Sequence, residues 1–284
     1  MTLRQIGLVA LFCLSWSSAF PAAKLAMAVS PPLLFLGLRF LLAAAILLGW
    51  AAVTGTLRRV PWTTLAWLGL LNQAGYQGVA WLGMQRASAG VATIIVSLSP
   101  ILIAAAAVPL LGERLSRPKV IGLVLGLAGA AWVVRDRIAF GESGWGIALL
   151  FVALACMSAG TLAFKRVAPE AGLVVAVGAQ QLAAGTALLL AGLASEPTGA
   201  IRFDAQFWLV MAWVVLVVSV GSFLLWFALL RRYSAASASA LHFIMPPLGL
   251  VMSWAVLGEP LLAMDLIGVV PIAAGIWLVT RSPA

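Results

Sequence analysis

Apolar runs of about 18 to 25 residues follow one another along this chain, each long enough to cross a hydrocarbon core of roughly 30 Å as an α-helix. Polar positions fall between the runs. Several carry turn or helix-stop chemistry: Ser30-Pro31-Pro32, Gly55, Gly112, Pro118, Gly141, Pro169 and Pro197-Thr198-Gly199. The pattern predicts ten transmembrane helices, at about 6–27, 31–54, 63–85, 88–111, 119–135, 144–165, 170–193, 206–230, 234–257 and 264–280. The connections are short and leave no room for an extramembrane domain. The expected fold is an all-α integral membrane protein.

The chain also repeats itself. Residues 86–133 laid on 232–279, an ungapped shift of 146, agree at 16 of 48 positions, where composition alone would give about five. Pro100 meets Pro246, Gly112-Glu113 meets Gly258-Glu259, Gly122 meets Gly268 and Gly129 meets Gly275. Each unit, 1–138 and 139–284, then holds five helices, and an odd number turns the second unit upside down in the membrane. Two inverted five-helix repeats around a central cavity are a transporter arrangement, with the substrate near mid-membrane. The opening "MTLRQIGLVALFCLSWSSAFPAAK" has the look of a cleaved signal peptide. Its end nevertheless aligns loosely with "CMSAGTLAFK" ending at Lys165, so the first helix is expected to be retained.

Composition agrees with burial in lipid: of 284 residues, 64% are hydrophobic and 9% charged, with mean hydropathy +1.13. A soluble domain carries about 25% charged residues. The net charge of +9 does not mark a nucleic-acid partner, because the basic residues sit singly or in pairs between apolar runs. They read as topology signals instead. With the N-terminus inside, the inner segments hold Arg4, Arg58, Arg59, Arg114, Arg117, Lys119, Lys165, Arg166, Arg231, Arg232 and Arg281, against five basic residues outside (Lys24, Arg86, Arg135, Arg137 and Arg202). Six of the eight acids, Asp136, Glu142, Glu196, Asp204, Glu259 and Asp265, fall outside. Both termini are therefore expected in the cytoplasm. Cys13 and Cys156 lie within apolar runs, in no disulfide or metal spacing, and read as packing residues.

The candidate chemistry is uncharged. "LLNQAGYQGVAW" in the third helix places Asn72, Gln73, Tyr76 and Gln77 on one polar face near mid-membrane. Amides buried in hydrocarbon without partners cost several kcal/mol each, so these side chains must meet protein, water or a ligand. Cavity lining is one reading, and hydrogen bonds that tie helices together are the other. His242, the one histidine, shares a face of the ninth helix with Ser239 and Met245. It is a cavity candidate and, secondarily, a proton carrier, so protons are a candidate partner. Trp16, Phe20, Trp81, Phe223, Trp226 and Phe243 are candidates for an apolar wall, and Ser97, Ser99, Ser219 and Ser222 are weaker polar candidates; packing is the alternative for all ten. Arg39 reads as a packed or snorkelling arginine, with a contact to a substrate carboxylate as the second reading. Pro100 and Pro246 each remove a backbone hydrogen bond at equivalent mid-helix sites, and are expected to act as hinges or as static bends.

"SWSSAF" in helix one, "RFLLAA" from Arg39, and "LGERL" and "LGEPL" after helices four and nine resemble the EamA-type branch of the drug/metabolite transporter superfamily. Within it the chain looks closest to bacterial amino-acid exporters of the YddG type. The resemblance covers essentially the whole chain. It implies a cavity lined mainly by helices one, three, four, six, eight and nine, alternating access by rocking of the repeats, and a multi-pass place in the bacterial cytoplasmic (inner) membrane. The expected function is export of small metabolites, chiefly amino acids including aromatic and large apolar ones. Another metabolite or a drug is the alternative cargo. No GxxxxGK[ST] phosphate loop, HExxH or GxSxG occurs, so no cofactor or metal is expected, and an intramembrane enzyme built on a Ser–His pair at His242 is the remote alternative to transport.

Overall fold

A computed structural model of the chain describes residues 3–57, 60–111, 116–118, 120–122, 124–126, 128–129, 132, 141–167, 171–232, 238–243, 245–261 and 263–281. Every regular element among them is helical. The segments are α1 (Leu3–Ser17), α2 (Ala19–Met27), α3 (Pro32–Val53), α4 (Trp62–Gly69), α5 (Val79–Met84), α6 (Ala89–Val96), α7 (Ser99–Leu111), α8 (Gly144–Val167), α9 (Leu173–Ser195), α10 (Ala205–Trp213), α11 (Phe223–Arg232), α12 (Met245–Leu257) and α13 (Ala263–Arg281). Two π-helical segments, Leu70–Gly78 and Val214–Ser222, join α4 to α5 and α10 to α11 without a break. Short 3₁₀ turns lie at Thr198–Ala200 and Ala240–Phe243.

Among the described residues, six helices are long and apolar enough to cross a membrane: Gly7–Met27, Pro32–Val53, Ala89–Ala106, Gly144–Val167, Leu173–Ser195 and Ala205–Arg232. The helix over residues 62–84 is long enough, but Asn72, Gln73, Tyr76 and Gln77 lower its hydropathy. Parts of the expected fifth and ninth helices lie outside the described residues. So do Gly112, Glu113, Arg58, Arg59, Arg114, Lys119, Arg135, Asp136, Arg137 and Pro169, and the side chain of Asp265.

Small residues set the packing. α3 and α9 run antiparallel, with Gly37 of α3 and all three glycines of α9 seated on the other helix: a Cβ built on Gly185 would fall 2.9 Å from the Leu41 backbone nitrogen, and one on Gly37 would fall 2.7 Å from Leu189. Lipid gives no hydrophobic drive between helices, so such close backbone approach is what holds them together. Residues around 122–129 meet α13 in the same way, with Gly275 against the Gly122 carbonyl and Gly129 against that of Gly268.

Pro100 is the second residue of α7, and Pro246 lies near the start of the described part of α12. Ahead of α7 the chain breaks at Ser97–Leu98, where the Leu98 carbonyl accepts from both Ile101 N (2.9 Å) and Leu102 N (3.3 Å). Pro100 has no N–H to offer, so the break falls just before it rather than at a bend inside a continuous helix.

One end of the bundle is tied by carboxylates at helix starts, where four N–H groups lack intrahelical partners. Glu196 accepts from Leu33 N and Leu34 N (3.0 and 2.9 Å) at the start of α3. At α6, Glu142 takes Ser88 N (2.9 Å), Glu259 takes Ala89 N and Gly90 N (2.9 and 3.0 Å), and Ser88 Oγ takes Val91 N (3.3 Å). Lys24 closes beside them. Its Nζ donates to the Met84 carbonyl at 2.5 Å, within electrostatic reach of Glu259 and Glu142.

Candidate functional site

The π-helical segment Leu70–Gly78 holds the four polar residues picked from the third helix. π turns are uncommon and gather at functional sites, because the wider turn re-aims side chains. Glycines in and beside it are poor helix formers and also permit close contact: a Cβ on Gly69, the last residue of α4, would lie 2.2 Å from the Gln180 carbonyl, and one on Gly75 would press on Cys156 Sγ at 3.3 Å.

The quartet divides. Tyr76 and Gln77 line a small cavity with Trp16, Ala19, Phe20, Ala80, Trp81, Met84 and Val218. Asn72 points elsewhere: its Nδ2 donates to Gln180 Oε1 at 3.3 Å, and its Oδ1 crowds Gly160. Gln73 is fully buried, and neither of its amide atoms has a partner. The cavity has about 20 Å³ of free volume, room for a water but for no solute of metabolite size.

Arg39 lies behind the wall, 1% exposed. Its Nε donates to Ser219 Oγ (2.7 Å) and its Nη1 to Gln77 Oε1 (2.8 Å), so one guanidinium touches both π segments. Gln181 adds a bond from Nε2 to the Ser219 carbonyl at 2.6 Å. With the head group enclosed, snorkelling does not describe this arginine. Its partners stand 38 and 180 residues away, and the sequence pattern marks them as polar positions without showing that they meet Arg39.

A second cluster adjoins the cavity through Trp16. His242 is enclosed by Phe12, Trp16 and Trp226, with ring centroids 5.9, 5.6 and 4.7 Å away and edge-on geometry. Its Nδ1 meets the Ser239 carbonyl at 3.1 Å, which places a proton on Nδ1 and leaves Nε2 a bare, buried acceptor. Phe12 was missed by the sequence reading, although it stands four residues before Trp16 on the same helix face. Phe223 also packs on Trp16, at 5.1 Å.

The other candidates lie apart from the cavity. Ser97 Oγ bonds the Ile94 carbonyl (2.6 Å), and Ser222 Oγ bonds Ser15 Oγ (2.7 Å). Ser239 and Met245 are buried. Phe243 closes the 3₁₀ turn, and its side chain and that of Pro246 lie outside the described residues. Among the described residues no group of His, Cys, Asp and Glu could hold a metal ion.

Comparison with known proteins agrees with this architecture. The profile of the EamA-like transporter family matches residues 3–135 and again residues 144–281. An uncharacterized transporter of Bacillus subtilis, YvbV, is 29% identical over 289 residues, covering 99% of this chain and 93% of the relative. A probable terminal-alkyne amino-acid exporter of Streptantibioticus cattleyicolor is 27% identical over 284 residues (98% and 94%). A probable amino-acid metabolite efflux pump of Salmonella typhimurium is 26% identical over 287 residues (97% and 94%). One solved crystal structure aligns with a TM-score of 0.74 at 22% identity, covering 96% of both chains, a likeness of fold. Matched by the family profile over nearly its whole length, the chain belongs to the EamA-like transporter family.

Proposed function

We propose that this membrane transporter exports amino acids, including aromatic and large apolar ones, across the bacterial inner membrane by alternating access. The observation that carries the reading is the cavity wall. It sets a phenol and an amide, Tyr76 and Gln77, among the aromatic side chains of Trp16, Phe20 and Trp81. Apolar walls with a few convergent polar groups suit a small amphipathic solute. The names of the Streptantibioticus and Salmonella relatives point to the same class of cargo.

The transport path runs between two inverted five-helix repeats, with both termini cytoplasmic. The 146-residue repeat in the sequence, the antiparallel packing of α3 on α9, and the two stretches matched by the family profile support this topology. The carboxylate-tied end, with Glu142, Glu196 and Glu259, is the outer one in this reading, which the excess of Lys and Arg in the opposite segments supports. A cavity of about 20 Å³ admits a solute only if helices part. The break ahead of Pro100 and the 3₁₀ turn Ala240–Phe243, upstream of Pro246, provide the joints, since a broken helix can bend at little cost in backbone bonds.

Counterflow of labelled amino acids into proteoliposomes tests the proposal. Wild-type protein should exchange phenylalanine or leucine, and Tyr76→Ala and Gln77→Ala should each cut the rate at least about tenfold, the worth of one well-placed polar contact. Exchange of no amino acid would reject this cargo. Full exchange by both variants would reject this cavity.

A further inference from the structure

Arg39 is the largest fully buried side chain among the described residues, set roughly 10 Å along α3 from Pro32. Arginine keeps its charge in proteins. Yet both hydrogen-bond partners of the guanidinium, Gln77 and Ser219, are neutral, and Nη2 has none. The Phe40 ring lies 4.9 Å from Cζ, and the titratable neighbour is the Tyr76 phenol. No carboxylate among the described residues acts on it.

A buried ion without a counter-charge carries a desolvation penalty of several kcal/mol. Intramembrane charges are rare for this reason, and they mark solute or ion pathways. An arginine that served only to fill space would be better replaced by methionine or leucine. One that served only to bridge helices would be better matched by a glutamate. The arrangement lacks one negative charge.

We propose that Arg39 supplies the binding site for the carboxylate of the transported solute. Gln77 belongs both to the cavity wall and to the guanidinium, so its amide oxygen holds Nη1 in place of a stronger acceptor. A carboxylate that displaces this oxygen meets Nη1 and the bare Nη2 together, the two parallel donors that arginine offers and lysine cannot. Ser219 keeps Nε fixed throughout, so the fork is oriented before the solute arrives. The buried cation is then neutralised by its cargo, and the protein retains no permanent ion pair that would lock the path. This rests on the reading of the Tyr76–Gln77 cavity as the solute path, and extends it from a polar solute to an anionic group at a named side chain.

The test measures affinities of purified full-length protein, by tryptophan fluorescence, for L-phenylalanine, 3-phenylpropionate and L-phenylalaninamide. Wild type should bind the two carboxylates at least about 30-fold more tightly than the amide, the worth of a charge-assisted pair. In R39Q the acid-to-amide preference should fall to within about threefold, and in R39K it should survive in weakened form. Gln77→Glu supplies the missing charge from within, so it should melt at a higher temperature than wild type and lose carboxylate binding. This variant keeps the proposal testable if R39Q does not fold. An acid preference intact in R39Q, equal affinity of wild type for acid and amide, a Gln77→Glu variant that melts lower or binds as before, or no binding of either carboxylate would each overturn the assignment. Binding of 3-phenylpropionate but not of phenylalanine, lost in R39Q, would sustain Arg39 while rejecting amino acids as the cargo.

Discussion

Glu259 closes the start of a helix 170 residues away from it in sequence: its two carboxylate oxygens accept from Ala89 N and Gly90 N at 2.9 and 3.0 Å. Glu196 does the same for Leu33 and Leu34. Anionic caps at helix starts satisfy orphan N–H groups and sit favourably in the helix dipole.

Each cap should be worth about 1.5–3 kcal/mol, the range for hydrogen bonds to a charged group. Thermal unfolding in detergent should show Glu259→Ala and Glu196→Ala lowering the melting temperature by similar amounts, with Glu259→Gln between Glu259→Ala and wild type. Indifference of melting to Glu259→Ala would mean that the cap carries no stability.

Glycine contacts give a sharper contrast. At Gly185 an added side chain runs into the Leu41 and Gly37 backbones, which cannot yield as a flexible side chain can. Gly185→Leu should destabilise by about 1–3 kcal/mol or more. At Gly7, where a Cβ meets nothing within 4 Å, Gly7→Ala should gain about 0.5–1 kcal/mol from helix propensity. Equal effects of the two substitutions on melting would contradict the packing of α3 on α9.

The histidine cluster separates packing from proton transfer. His242 fills the space among Phe12, Trp16 and Trp226, so His242→Phe should preserve that wall and keep exchange within about threefold of wild type. His242→Ala leaves a void worth about 3 kcal/mol and should melt lower and exchange more slowly. Loss of exchange in both variants, with normal folding of His242→Phe, would make the imidazole itself indispensable.

Much of this was legible in the sequence. Helix limits follow from hydropathy because lipid demands unbroken apolar runs, and α3, predicted at 31–54, spans Pro32–Val53. The candidate site was less legible, for definite reasons. A 100° projection assumes an α-helix, whereas residues 70–78 take the wider π turn, and no projection shows which neighbours each side chain meets: Tyr76 and Gln77 line the cavity while Asn72 bonds Gln180. Arg39 within an apolar run cannot announce which distant residues enclose it. The capping role of Glu259 depends on a helix start that only the fold brings beside it.

The most direct test of the cavity as the transport path uses Ala80, a small buried residue on its wall. Ala80→Cys is prepared with Cys13 and Cys156 replaced by alanine, reconstituted with a labelled amino acid, and treated with a bulky thiol reagent during exchange. Labelling that proceeds during turnover, slows in excess substrate and halts exchange is the predicted result. Exchange that continues undiminished in fully labelled protein would contradict the account.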